Sequence, residues 1–528
     1  MSATITAVPA KDPLDCRSPR PAVTPGWLSS GNLILLLLAL GIAPLILPTV
    51  APLIDLPQHI SRYRIAFEYD TSPYFKQWFD FHWVLVGNLG VDLVVQTLAP
   101  LLGVEGATKF AILAIPFLTI AGILLIAREV HGRIPPTAAL AAVLTYNFAF
   151  NFGFVNYALS AGIALLAFGF WLRLGRLKRR NLRAFLFAPI GFLVWLCHAC
   201  GWGILGVLIF TWELASARTS GTSWTRSFTG AVTNCLPLTV PLIPMFFWSN
   251  ALPGGSLALF DFSPLRKIAI LVLAIRNGTP LIDVGSMLII WGIGTFCVIR
   301  RDVEYDRRLA AVAGALLVTF ILMPVNLMGS GFADLRVAPY VPMLFMIALR
   351  PVDTTRFTRL LGAFSITFFA LQMIYHAVVY ERINRAQEHV LEAVEHIPIG
   401  ARVFGFSSVR CSGTMAGNRM DHVHRLATVR RRAFTNSTWP FPASQTLIVH
   451  PAMVAGYHDE SSQLFEPKDC REGRTHDIEG ALASLPPGRF EYFWLLDVPP
   501  EQWPNRSDLQ EVWHNDRTIL YRFVSPKP

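Results

Sequence analysis

Charge is what this chain has least of: Asp, Glu, Lys and Arg make up 15% of its 528 residues, while hydrophobic side chains make up 53%. With a mean hydropathy of +0.45, water alone would not keep it in solution, so it reads as a polytopic membrane protein. Nucleotide-binding signatures are missing too. The sequence has no P-loop, no GxGxxG fingerprint, no internal repeat and no Cys/His spacing of the kind that holds zinc, so soluble nucleotide chemistry is unsupported. The formal charge of +10 does not point to nucleic acid, because the Lys and Arg residues gather at the ends of apolar runs, where they orient helices in a bilayer.

What the sequence does have is apolar runs. A hydrocarbon core of ~30 Å needs ~20 apolar residues per helix, and runs of that kind predict about eleven spans. They lie near 32–53, 107–127, 135–150 and 155–173, in a hairpin of two over 184–214, and near 229–248, 282–299, 309–327, 338–349 and 360–379. The basic stretches REVHGR, RLGRLKRRNLR and IRRDVEYDRR follow the second, fourth and eighth spans and belong in the cytoplasm. Residues 1–30 read as a disordered cytoplasmic tail, not a cleaved signal peptide. An odd number of crossings then leaves the C-terminus outside. The tips NFGFVNY and CHACGW, the first loop over 54–105 and the segment 249–281 fall on that same outer side.

Within the first loop, Leu56, Ile60, Tyr63 and Phe67 recur at helical spacing, a stripe suited to the membrane interface with Arg62 and Arg64 at the headgroups. NLGVDLVVQTLAPLLG predicts a second helix of this kind. The bundle over 31–380 gives way beyond about residue 381 to a more charged stretch in which RVFGF, TLIVH, FEYFWLLDV and TILYRFV predict short strands. Residues 381–528 therefore read as a small extracytoplasmic α/β domain. Of the seven cysteines, only Cys411 and Cys470 lie there; a bridge between them would close a loop of about 60 residues and contribute roughly 4 kcal/mol in the chain-entropy model. Asn436 and Asn505 begin N-x-S/T patterns.

Asp55, in PLIDLPQH, directly follows the first span and precedes a helix. One reading is a capping box with Gln58, in which Asp accepts from backbone N–H groups and Gln reaches back. The other is proton transfer beside a phosphate, because His59 lies one turn further along the same face with Arg62 beyond it. For His59 the competing reading is an interfacial residue bonded to its neighbours, and for Arg62 and Arg64 it is lipid-headgroup contact. GFADLRVAPY sets Asp334 and Arg336 at the outer membrane face, where a guanidinium needs either a phosphate or an internal ion pair. Lys267 and Arg266 can serve the same role or snorkel. His198, Asn151 and Asn156 stand at hairpin tips, where solvation alone would explain them. Asp80, His82 and Asp92 are secondary candidates in the first loop. The basic run DHVHRLATVRRR, with His422 and His424, reads as a solvated loop.

These features together resemble the GT-C superfamily of integral-membrane glycosyltransferases, which use lipid-linked sugars and carry an acidic residue just after the first span. LIDLPQH is the matching stretch, and the likeness in architecture covers most of the chain. It implies an α-helical polytopic fold with a small C-terminal periplasmic α/β domain, set in a bacterial inner membrane with the N-terminus cytoplasmic. The implied partners are a polyprenyl-phosphate sugar donor, membrane lipids and a glycan, lipid or protein acceptor of the envelope. On this resemblance Asp55, with His59 beside it, takes the proton from an acceptor hydroxyl as that oxygen attacks and inverts the sugar C1, and Arg336, then Lys267 and Arg62, stabilise the departing phosphate. His198, Asp334, Asp80 and His82 are secondary. The family commonly shows an acidic pair in this loop, whereas here Asp55 is followed by Leu56, Pro57, Gln58 and His59. No cofactor is expected; a divalent metal on Asp55 and His59 is the alternative. Two other classes fit the composition, a transporter or flippase and a non-enzymatic scaffold for envelope assembly, although the polar residues gather at the outer rim rather than the midplane.

Overall fold

The computed structural model describes residues 31–248, 258–327, 331–351, 356–409, 418–438, 446–450, 453, 463–465, 478–485 and 488–524. Helices occupy each predicted apolar segment. Among the described residues, six are long and apolar enough to cross a membrane: Gly90–His131, Val155–Arg176, Arg180–Cys197, Ala199–Thr219, Pro280–Ile299 and Arg356–His396. Gly31–Leu45 and Thr137–Phe152 are shorter apolar helices. Trp224–Cys235, Arg307–Leu322 and Tyr340–Ala348 complete the bundle. Leu35, Phe110, Phe185, Leu288 and Ile374 stand exposed on these helices, as side chains facing lipid do.

The first loop departs from the expectation of interfacial helices. Leu56, Ile60 and Tyr63 of the helix Leu56–Glu68 are buried in the same core as the bundle. Arg62 donates from Nε to Asp92 Oδ1 at 3.0 Å and from Nη2 to Oδ2 at 2.8 Å. Arg64 pairs with Glu68 at 2.6 Å. Both arginines turn to carboxylates inside the protein because the C-terminal domain, not lipid, covers this helix. The second predicted helix exists but does not stop. It starts at Gly90 and runs into the second span through a break at Gly103, whose φ of 70° suits glycine.

The helix Arg356–Leu391 carries the chain out of the bundle toward a mixed sheet. Its strand order is Leu509–His514, Ile519–Phe523, Tyr492–Leu496, Arg402–Val409, Phe434–Thr435, with Gln463–Phe465 also beside Arg402–Val409. Arg402–Val409 runs parallel to Tyr492–Leu496, which is antiparallel to Ile519–Phe523. Three of the four predicted strands join this sheet. The fourth, Leu447–Val449 of TLIVH, instead pairs antiparallel with Phe79–Phe81 of the first loop, so loop and C-terminal domain share backbone hydrogen bonds.

DHVHRLATVRRR is not a solvated loop; it is the element that docks the C-terminal domain. Arg425 is fully buried and donates to Ser61 Oγ from Nη2 at 2.8 Å and to Thr435 Oγ1 at 2.6 Å. Arg430 pairs with Glu105 at 3.0 Å, Arg432 with Glu68 at 2.7 Å, and Arg431 donates to Val394 O at 2.9 Å. Asn436 is buried, bonding both ways with the Gly405 backbone, while Asn505 is exposed. Cys411 and Cys470 lie outside the described residues, as does the tail over 1–30; Cys197, Cys200, Cys235 and Cys297 are free thiols.

Candidate active site

The chain leaves its first apolar helix through an irregular stretch and turns at Asp55 into Leu56–Glu68. That turn is held from outside. Ile54 and Asp55 donate their N–H groups to Asn151 O at 3.4 Å and Phe152 O at 2.9 Å. Gly153 lets this happen: its φ is +103°, and a Cβ there would come 2.8 Å from Asp55 N. The capping box does not form. Asp55 sits at the N-cap position with no side-chain cap bond, and Gln58 Oε1 has no hydrogen-bond partner among the described residues. The buried Asp55 carboxyl is therefore not engaged in holding its helix.

Burial and the neighbouring Asp421 push the Asp55 carboxyl well above the usual carboxylate range, with Arg336 pulling the other way. His59, partly buried on the next turn, is held well below the usual histidine range by burial, Arg62 and His422. Arg336 is buried, with its guanidinium 4.5 Å above the Phe154 ring and Nη1 3.5 Å from His198 Nε2. The backbone of Arg336 is fixed as well, accepting the Tyr157 hydroxyl proton at its carbonyl. His198 caps Ala199–Thr219 with Nδ1, which accepts the Cys200 N–H at 3.0 Å. A ring nitrogen that accepts from a backbone N–H carries no proton, so in the neutral ring the proton is assigned to Nε2. His198 Nε2–H and Arg336 Nη1–H then point to one place as two donors. Phe332, more than a third exposed and itself at a φ of 57°, lies beside Phe152 and Phe154.

The structure thus brings Asp55, His59, His198 and Arg336 together and separates the rest. Lys267 is buried and donates to Asp334 Oδ2 at 2.9 Å, Met323 O at 3.0 Å and Phe320 O at 3.2 Å, which uses its three protons. Arg266 donates to Asp334 at 2.5 Å and 3.2 Å. Asp334 therefore pairs with Arg266 and Lys267, not Arg336. Arg62 is likewise committed to Asp92. Asp80, on the strand Phe79–Phe81, and His82, just past its end, are exposed, Asp80 pairing with His450 at 3.1 Å. Asn151 and Asn156 are not solvated tips: Asn151 donates to Arg276 O at 2.9 Å, and Asn156 bonds to Val91 N–H at 2.6 Å and to Asp92 at 2.9 Å.

Two residues absent from the sequence-based site, Asp421 and His422, complete the cluster, both from the C-terminal domain. His422 Nε2 stands 3.9 Å from Asp55 Oδ1 and 3.8 Å from Asp421 Oδ2. Among the described residues no group of three or more His, Cys, Asp or Glu is arranged to hold a metal ion. The arrangement sets a guanidinium and two imidazoles beside a buried carboxyl.

Two solved structures share this architecture along nearly their whole length. One is ArnT from Cupriavidus metallidurans bound to undecaprenyl phosphate, with a TM-score of 0.52 and 14% identity over 95% of this chain and 98% of that one. The other is the same protein in the apo state, with a TM-score of 0.51 and 13% identity over 94% and 98%. The chain has the ArnT fold. At such low identity the likeness is one of fold. No protein-family model matches the chain, and no curated protein does.

Proposed function

We propose that this protein is an inverting glycosyltransferase of the bacterial inner membrane, with its N-terminus cytoplasmic and the domain over 381–528 periplasmic. It transfers a sugar from a polyprenyl-phosphate donor to a glycan, lipid or protein acceptor of the envelope. The observation that carries this reading is the Asp55 carboxyl, buried without a capping role and faced by Arg336 at the outer end of an ArnT fold. An amphiphilic donor can keep its chain in lipid there while its phosphosugar meets the polar cluster.

In this reading Asp55, once ionised, takes the acceptor hydroxyl proton as that oxygen attacks the sugar C1 from the face opposite the phosphate. The C1–O bond to phosphate breaks, and its electron pair leaves with the polyprenyl phosphate. Arg336 Nη1–H and His198 Nε2–H, which meet beside Asp55, suit a phosphate oxygen that gains charge as the bond breaks. These two groups, rather than a divalent metal, carry the leaving phosphate. The fold supports a lipid-phosphate partner further, since ArnT holds undecaprenyl phosphate in it.

The test is release of undecaprenyl phosphate from a panel of undecaprenyl-phosphate monosaccharides by membranes carrying the full chain. Release with at least one donor that disappears in Asp55→Asn supports the reading. Equal release by wild type and variant rejects it.

A further inference from the structure

The Asp55 turn is held by backbone groups, and one side chain of the C-terminal domain gathers them. Arg419 donates from Nη1 to Pro52 O at 2.6 Å and to Asn151 O at 2.8 Å, and from Nη2 to Asn277 Oδ1 at 3.0 Å. Asn151 O is the carbonyl that also takes the Ile54 N–H, and the adjoining Phe152 O takes the Asp55 N–H. One guanidinium thus ties the segment that enters the turn to the Phe148–Phe152 helix that supports it. Arg419 meets Pro52 across 367 positions of chain, so these bonds form only when the C-terminal domain is docked.

The partners of Arg419 are themselves fixed. Asn151 is buried, donates from Nδ2 to Arg276 O at 2.9 Å and accepts the Tyr380 hydroxyl at Oδ1. Asn277 is buried as well. A guanidinium only donates, so the atom facing it is the Asn277 oxygen, and Nδ2 is left to donate to His376 Nδ1 at 2.8 Å. The Asn277 backbone N–H goes to Asp283 Oδ2 at 2.9 Å. Docking itself does not depend on Arg419, because Arg425 bonds Ser61, Arg430 pairs with Glu105 and Arg432 with Glu68.

We infer that Arg419 is a positioning residue of the transferase centre: it holds the Asp55 carboxyl in place relative to Arg336 and His198, so that the bundle and the C-terminal domain build the centre together. This rests on the transferase function proposed above. Arg419 acts through the backbone, since its bonds go to protein carbonyls. Without it Pro52 and Asn151 can part, and the turn moves with them. A displacement of about 1 Å at a reacting group costs up to about 10²-fold in rate. The donor phosphate, met by Arg336 and His198, is not touched by that movement.

The experiment measures undecaprenyl phosphate release by the full chain with a donor on which wild type is active. Arg419→Met should lower kcat about 10²-fold, counted per folded chain, while the KM for donor stays within about twofold of wild type. Arg419→Lys should hold kcat within about tenfold of wild type, because Pro52 O and Asn151 O both accept from a single nitrogen, which an ammonium can replace. A merely structural role would lower the yield of folded protein and leave kcat per folded chain unchanged. A wild-type kcat in Arg419→Met, or an Arg419→Lys no faster than Arg419→Met, overturns the inference. Should Arg419→Met fail to fold, Asn277→Ala, which removes the Nη2 acceptor alone, decides by the same readouts: a kcat lowered about tenfold at unchanged KM supports the role, and a wild-type kcat overturns it. An overturning result beside an inactive Asp55→Asn removes the role of Arg419 and leaves the transferase; an active Asp55→Asn removes both.

Discussion

Asp334 and Arg336 are separated by one residue, yet they belong to opposite kinds of charge cluster. Asp334 is fully buried and accepts from Arg266, Lys267 and the Leu335 N–H, and the remaining Lys267 protons go to backbone carbonyls. Arg336 faces a histidine that presents a proton to it and acts across space on a carboxyl that makes no cap bond. Burial and residue type are the same in both places. What differs is the partners: the Asp334 carboxylate is met by two cations, whereas Arg336 meets an imidazole and Asp55 is a buried acid whose pKa burial raises, the kind of perturbed group that clusters at functional sites.

The sharpest way to break this contrast is to neutralise each acid. Asp55→Asn should slow transfer about 10² to 10⁴-fold without lowering thermal stability, because the side chain caps nothing and its charged form is disfavoured by burial. A melting temperature that drops with activity would make Asp55 structural. Asp334→Asn should do the reverse, costing about 3–5 kcal/mol of stability by leaving Lys267 buried without its carboxylate. Lys267→Met in the same chain should restore most of that loss, read as recovery of folded protein in detergent. No recovery would mean that Asp334 does more than neutralise Lys267.

Much of the bundle was legible because burial in lipid is written locally, as apolar runs ended by arginines. Asp55 was legible for the same reason, as an acid placed where such a run stops. His422 and Asp421 were not. They meet Asp55 across 367 and 366 positions of chain, and nothing in DHVHRLATVRRR distinguishes a docking helix from a solvated one, since its partners Ser61, Glu68 and Glu105 lie in the first loop. Arg62 misled for a related reason. Its spacing from Asp55 and His59 is helical, but Asp92, which claims it, stands 30 residues away. The acids of the first loop beside a basic run near the C-terminus were the one available signal of docking, and it is one of charge balance, not of motif.

A smaller effect should come from the turn itself. Gly153→Ala forces an L side chain into a φ of +103° and a Cβ to 2.8 Å from Asp55 N. Strain of about 1–3 kcal/mol follows, and since the displaced atom belongs to Asp55, kcat should fall further than the melting temperature implies. Gly103→Ala, strained at a φ of +70° with nothing within 4 Å, controls for strain alone. If the two variants lose activity equally, the Asp55 turn has no special place.

Acidity should separate the two clusters most finely. Burial holds His422 down from 6.5 to about 3, and His59 and His424 well below the same 6.5. Between the depressed values and 6.5 the unfolded chain binds more protons than the native one, so stability is complete above 6.5 and falls as pH falls, by about 1 kcal/mol per histidine over the first unit. Asp55 opposes this, because its raised pKa makes the native state bind more protons above 3.8, but it is one group against three. At Asp334, burial alone would raise the pKa, yet bonds from Arg266 and Lys267 hold it below 3.8. Its contribution is present above 3.8 and lost only as pH falls through that lower value. Lowering pH from 7 to 5 should therefore reduce the melting temperature of wild type and of Asp334→Asn by the same amount, and of His422→Asn by less. A melting temperature that stays level over that range would show the histidine cluster to be charged or open to water, and the contrast between the two clusters would then rest on pairing alone.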